Sequence, residues 1–122
     1  MSKFWKGSVL VVLVALVALA AAVSAFGGSS ATTTDAVTAG KPSEFRFTLA
    51  KRTVLKGTVF FKVTNKGLIK HDFKIAGKKT PVLATGKTAT LKVIFTKAGK
   101  YTYLCTLPGH AAGGMKGVLT VK

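Results

Sequence analysis

A repeated alternation of apolar and polar residues with a period of two limits what this chain can fold into. The alternation occurs in five short runs, at residues 44–49, 59–64, 71–76, 91–96 and 101–106. Successive side chains of a strand point to opposite faces, so each run predicts a strand with one buried and one solvated face. Turn-forming glycine, asparagine and lysine residues separate the runs, and no amphipathic helix pattern is present. The sequence therefore predicts an all-β fold, an antiparallel β-sandwich.

The N-terminal residues have a different character from the alternating runs. Lys3 and Lys6 precede an apolar run at residues 9–23, and small residues lead up to Ala25. A basic start, an apolar stretch and a small-x-small end predict a secretory signal peptide over residues 1–25. The apolar stretch 9–26 is also about as long as the shortest bilayer-spanning helix, so an uncleaved membrane anchor is the alternative. We expect an exported protein, periplasmic or extracellular, with tethering through residues 9–26 if the segment is retained.

The remaining chain divides by composition into a linker and one domain. Residues 26–42 are rich in glycine, serine, threonine and alanine and show no apolar period. That composition predicts a flexible linker. Residues 43–122 hold all five alternating runs and are enough for one two-layer core, so we predict a single folded domain there.

The charge balance is strongly basic, with 19 lysines and arginines against 3 acidic residues and a formal net charge of +16. Loss of a signal peptide would leave +14. Lysines spread over strands and turns are typical of a solvated sandwich face. The functional alternative is attraction toward an acidic redox partner or an anionic membrane surface. Without a recognition motif or interleaved surface aromatics, we expect no nucleic-acid binding. Three acidic residues, Asp35, Glu44 and Asp72, also argue against a carboxylate-dyad hydrolase.

The chain has few side chains that can serve as thiolate, thioether or imidazole ligands of a metal ion. Beyond the predicted signal peptide they are His71, Cys105, His110 and Met115, and the last three lie in one segment around Pro108. A thiolate, two imidazoles and a weak thioether are the donors of a mononuclear blue-copper site. Taken singly, a buried cysteine or histidine is more often a packing residue. Zinc is the chemical rival, and the thioether argues against it because zinc takes nitrogen, oxygen and thiolate donors.

Two segments of the chain resemble a known family. Residues 103–110 followed by 115–122 resemble the ligand loop and last strand of azurin, and residues 63–73 resemble the first-histidine region of plastocyanins. The chain is thus similar to the small blue-copper (type 1) cupredoxins, which implies a Greek-key β-sandwich. The resemblance implies equatorial copper ligation by His71, Cys105 and His110 and axial ligation by Met115. Azurin's second, weak axial donor corresponds to the carbonyl of Lys70.

The sequence also departs from azurin. Four residues separate His110 from Met115, as in plastocyanin, and the single cysteine excludes azurin's disulfide. Asp72 follows the first histidine where relatives usually carry asparagine.

The resemblance implies a monomeric, non-enzymatic protein that binds one copper ion and passes single electrons between redox proteins. An uncharged collar at residues 107–114 around His110 fits a transient docking face, and small loop residues are the plainer explanation. The alternative function is copper buffering or delivery, which the single thioether of Met115 disfavours. A multicopper enzyme would need more histidines than the two present.

Overall fold

The computed structural model describes residues 31–122. The predicted signal peptide, its anchor alternative and the first linker residues lie outside the described residues. Within residues 31–122 no helix is long and apolar enough to cross a membrane. The described residues form nine strands: β1 (Ala31–Ala39), β2 (Phe47–Leu49), β3 (Thr53–Val54), β4 (Gly57–Asn65), β5 (Lys74–Ile75), β6 (Lys78–Lys79), β7 (Thr88–Phe95), β8 (Gly99–Leu104) and β9 (Lys116–Val121).

The strands form two sheets, which confirms the predicted β-sandwich. One sheet has the order β2-β1-β4-β7 and the other the order β3-β9-β8-β5-β6. Most strand pairs are antiparallel, as predicted, but β1 runs parallel to β4 and β3 runs parallel to β9. Parallel neighbours require a connection that crosses between the ends of the sheet, and alternation along a single strand carries no information about that connection.

Strand β1 corrects the predicted linker at residues 26–42. Residues Ala31–Ala39 pair with β4 along their whole length and with β2 at their end, so they are an integral part of the first sheet. The buried positions of β1 are Asp35, Val37 and Ala39. Only one of these three is strongly apolar, so the period-two signal is weak although threonine favours strands. The folded domain therefore includes residues that composition assigned to a tether.

Aromatic rings join the two sheets in the core. Phe61 on β4 is fully buried, and its ring centroid lies 5.3 Å from that of Phe73, which precedes β5 in the opposite sheet. Phe73 in turn contacts Phe47 at 5.2 Å and Tyr103 at 5.6 Å. The core is thus continuous from the first sheet to the strand that leads into Cys105.

The alternating run at 71–76 forms less strand than expected. Only Lys74–Ile75 belongs to a strand, and His71 makes an isolated bridge with Leu83. The intervening amides bond to side chains, since Asp72 N–H points at Cys105 Sγ and Phe73 N–H donates to Thr80 Oγ1. These side-chain acceptors replace the ladder of a regular strand.

Asp35 is a buried carboxyl group inside β1. Its Oδ1 accepts a hydrogen bond from Lys51 N–H at 2.7 Å, and its Oδ2 has no partner among the described residues. Burial raises the pKa of Asp35 above its ordinary value of 3.8, although the Lys51 N–H lowers it in part.

Truncation of the central aromatic residue tests the packing. We expect Phe61→Ala to lower the free energy of unfolding by about 3–5 kcal/mol, because it leaves a cavity between the sheets. Ile94→Ala on β7, at a position 61% exposed, is the control and should change it by less than about 0.5 kcal/mol. Denaturant titration of both variants measures the difference, and equal losses would contradict the packing described.

The buried carboxyl group gives a pH-dependent prediction. The folded protein binds the Asp35 proton more tightly than the unfolded chain does, so its contribution to stability falls as the pH rises above 3.8. Asp35→Asn removes this titration and keeps the shape of the side chain. We expect the unfolding free energy of the wild type, relative to Asp35→Asn, to decrease with rising pH until the carboxyl group is ionised in both states. A difference that stays constant with pH would be inconsistent with the raised pKa.

Candidate metal centre

The backbone of His71 is held by a pair of hydrogen bonds to Leu83. The backbone N–H of His71 donates to the Leu83 carbonyl at 3.1 Å, and the backbone N–H of Leu83 donates to the His71 carbonyl at 2.8 Å. The amide of buried Asn65, at the end of β4, donates to the carbonyls of Leu83 and Ile69, both at 2.8 Å. The His71 side chain is 0% exposed. These backbone hydrogen bonds and the burial of the side chain together fix the position of the His71 imidazole.

The other three predicted ligands lie on the loop that joins β8 to β9. Cys105 N–H donates to the Met115 carbonyl at 3.1 Å, and Met115 N–H donates to the His110 carbonyl at 3.0 Å. These bonds tie the two ends of the loop together and hold His110 against them. The loop reverses at Gly109, whose φ of 80° is in the left-handed region that glycine favours.

Three predicted donor atoms converge at this end of the sandwich. His71 Nδ1 lies 3.2 Å from His110 Nδ1, and Cys105 Sγ lies 3.4 Å from His110 Nδ1. All three donor atoms lie within 4.8 Å of one another. Met115 is fully buried in a small cluster with Cys105 and Ala39. The structure thus brings together the residues that the sequence selected.

The protonation states of two donors suit a metal site. Burial raises the pKa of the Cys105 thiol, so the metal-free thiol keeps its proton at neutral pH and would exchange it for a metal ion. Burial, with a smaller contribution from nearby His71, lowers the pKa of His110. A neutral imidazole is the form that binds metals. One thiolate and two imidazoles that converge, with Cys105 and His71 buried and His110 partly exposed, fit a copper ion.

Asp72 links the two ligand-bearing segments. Its Oδ1 accepts from Thr106 N–H at 2.6 Å, and its Oδ2 accepts from the Thr106 hydroxyl group. Its own N–H lies 3.5 Å from Cys105 Sγ. The carboxylate therefore holds the residue after His71 against the residue after Cys105.

A neighbouring segment also contacts the site, and sequence reasoning missed its role. Glu44 Oε2 lies 2.5 Å from His71 Nε2, and the ring of Phe45 packs edge-on against His110 at a centroid distance of 4.9 Å. The Leu68 N–H, more than any other neighbour, lowers the pKa of Glu44 below its ordinary value, so this carboxyl group is ionised at neutral pH. The alternating run at 44–49 predicted that Glu44 and Phe45 belong to a strand, whereas β2 begins only at Phe47. The only signal in the sequence was the rarity of acidic residues, since Glu44 is one of only three in the chain.

Solved structures with this fold include blue-copper proteins. Auracyanin B aligns with a TM-score of 0.63 and 22% identity, over 79% of this chain and 92% of that chain, which shows the fold. Rusticyanin from Thiobacillus ferrooxidans aligns with a TM-score of 0.59 and 27% identity, over 77% of this chain and 79% of that one. A multicopper oxidase aligns with a TM-score of 0.54 and 13% identity, over 78% of this chain and 45% of that one, which shows the fold alone.

Sequence relatives include two proteins called copper-resistant cuproprotein CopI. The one from Pseudomonas aeruginosa is 38% identical over 55 residues, which are 45% of this chain and 28% of the relative. The one from Rubrivivax gelatinosus is 28% identical over 117 residues, covering 78% of this chain and 71% of the relative. The chain therefore spans less than a third of the first of these relatives.

A family model covers most of the chain. The model of copper binding proteins, plastocyanin/azurin family, matches residues 34–122. This match confirms the resemblance stated from the ligand loop and the predicted cofactor, copper. The chain belongs to the plastocyanin/azurin family of copper-binding proteins.

Proposed function

We propose that this protein is an exported type 1 blue-copper protein that carries single electrons between redox proteins. The ligands in this proposal are His71, Cys105, His110 and Met115, around one copper ion. The observation that carries it is the convergence of three donor atoms within 4.8 Å of one another. Copper held by such a set exchanges one electron between Cu(I) and Cu(II).

The residues around the donors favour a site that changes little between oxidation states. His71 is fixed by paired backbone bonds to Leu83, and the ends of the second ligand loop are bonded to each other through Cys105 and Met115. A preorganised set of donors supported by surrounding hydrogen bonds moves little when the charge of the metal changes. Small rearrangement is the property that an electron carrier needs.

His110 is the ligand that a partner protein can approach. It is partly exposed, whereas His71 and Cys105 are buried. The residues beside it in the loop, including Leu107 and Ala111, are uncharged. We propose that redox partners dock transiently on this collar and that the surrounding lysines attract acidic partner surfaces. We expect the protein to act as a monomer without nucleic acid, and attraction to an anionic membrane is the second use of its charge.

Copper buffering or delivery is the second candidate function. It is favoured by the two relatives named copper-resistant cuproproteins, one of which covers most of this chain. Within this chain, one thioether and two buried donors support a carrier instead, because a delivery site must release its metal to another protein. An enzymatic role is disfavoured, since the chain has two histidines and both belong to the proposed copper site.

Export rests on the N-terminal pattern at residues 1–25. We propose a periplasmic or extracellular location after cleavage, with a membrane-tethered form if residues 9–26 are retained.

Copper loading tests the ligand set. Addition of Cu(II) to the purified protein should produce the intense blue absorption of a thiolate–copper bond, and Cys105→Ser should abolish it. Thr102→Ser, on the exposed face of β8, is the matched control and should remain blue. A colourless protein that binds zinc more tightly than copper would refute the assignment, and so would a blue Cys105→Ser variant.

Electrochemistry separates the carrier from the delivery protein. We expect reversible one-electron voltammetry of the copper-loaded protein, and slow loss of Cu(I) to a competing chelator, because the donors are fixed and two of them are buried. Electron transfer to an acidic partner should slow as ionic strength rises. Irreversible waves together with rapid copper loss would favour delivery.

A further inference from the structure

Glu44 makes the most specific contact to the site from outside the ligand set. Both carboxylate oxygens are engaged, Oε2 with His71 Nε2 at 2.5 Å and Oε1 with the Leu68 N–H at 2.8 Å. The His71 side chain is 0% exposed and that of Glu44 is 26% exposed. A charged acceptor thus contacts Nε2 of the buried His71 imidazole, the ring nitrogen that does not face the other proposed ligands.

This contact decides which nitrogen of His71 is free. A neutral imidazole has one N–H donor and one acceptor nitrogen, and an ionised carboxylate can only accept. In a neutral His71 that donates to this carboxylate, the proton would lie on Nε2. The lone pair then lies on Nδ1, the atom that is 3.2 Å from His110 Nδ1. Carboxylate–histidine–metal arrangements orient the ring in this way and make the imidazole a stronger donor.

Gly67 leaves the space that this contact needs. A Cβ at this position would lie 2.1 Å from Glu44 Oε2 and 2.9 Å from His71 Nε2. The Gly67 N–H donates to Asn65 Oδ1 at 2.8 Å, so the backbone cannot easily move away. The carboxylate is therefore seated in a gap that any other residue would fill.

Building on the proposed copper ligands, we propose that Glu44 is a positioning residue for His71 and that its charge lowers the reduction potential of the site. The negative charge of Glu44, beside the ligand His71, stabilises Cu(II) more than Cu(I), because the attraction grows with the charge of the metal ion. Gly67 is also required, because its lack of a side chain leaves room for the Glu44 carboxylate.

The metal-free protein tests the positioning role directly. Nitrogen-15 chemical shifts of the neutral His71 ring should show the proton on Nε2 in the wild type. A proton on Nδ1 would overturn the positioning role. This measurement does not depend on copper, so it decides the role of Glu44 even if copper loading refutes the proposed ligands.

The charge effect is tested by two matched variants. Glu44→Gln keeps an oxygen acceptor and removes the charge, so we expect a blue protein whose Cu(II) affinity falls by about 10–100-fold and whose Cu(I) affinity falls less. The reduction potential should therefore rise. Glu44→Asp keeps the charge and should leave the potential closer to that of the wild type. An unchanged potential in a blue Glu44→Gln protein would overturn the charge effect.

A double-mutant cycle tests the role of Gly67. Gly67→Ala should displace the carboxylate and raise the potential in the same direction as Glu44→Ala. In the Glu44→Ala background the added methyl group has no carboxylate to displace and only its 2.9 Å contact with His71 Nε2 remains, so its effect on the potential should be smaller. Fully additive effects would show that Gly67 acts independently of Glu44 and would overturn this part of the proposal.

Discussion

The hydrogen bonds of Asp72 are the interaction on which the geometry of the metal centre depends. The two halves of the site come from distant parts of the chain, and this carboxylate joins them by accepting both the N–H and the hydroxyl group of Thr106. Hydrogen bonds to a charged acceptor are stronger than those between neutral groups. Because Asp72 follows His71 and Thr106 follows Cys105, the bonds set the distance between imidazole and thiol. An asparagine at this position could accept the Thr106 N–H through its oxygen, but its NH2 group would have to donate to the hydroxyl group instead of accepting from it.

The sandwich supplies the rigid base for this link. Phe73 is two residues from His71, and Tyr103 is two residues from Cys105, and their rings pack together in the core. Strand β1 adds a second support, because Ala39 at its end lies in the buried cluster with Met115. A ligand that projects from a packed layer is held more precisely than one on a free loop. The metal centre is therefore an extension of the core rather than an addition to its surface.

The proposed ligands could be chosen from the sequence because their chemistry is rare in this chain, and most of the longer strands could be predicted because one face of each is buried. His71, Cys105, His110 and Met115 needed only an inventory and a spacing. Strand β1 was missed because its buried positions include Asp35 and Ala39, which weaken the alternation. The role of Glu44 was missed because it lies 27 residues from His71, and the alternation that placed it at the start of a strand does not relate the two positions. Contacts of that kind arise from tertiary packing, which a local pattern does not encode.

The placement of charge separates two electrostatic tasks. The chain carries 19 basic residues, and lysines occupy exposed positions on strands and turns of both sheets. Of its three acidic residues, Glu44 contacts one proposed ligand and Asp72 adjoins it, while Asp35 is buried in β1. Exposed lysines would act on the proposed redox partner over a Debye length of about 8 Å and are screened by salt. The two carboxylates at the site act at hydrogen-bond distance, where screening is weak. Attraction of a partner and the potential of the site can therefore change independently of each other.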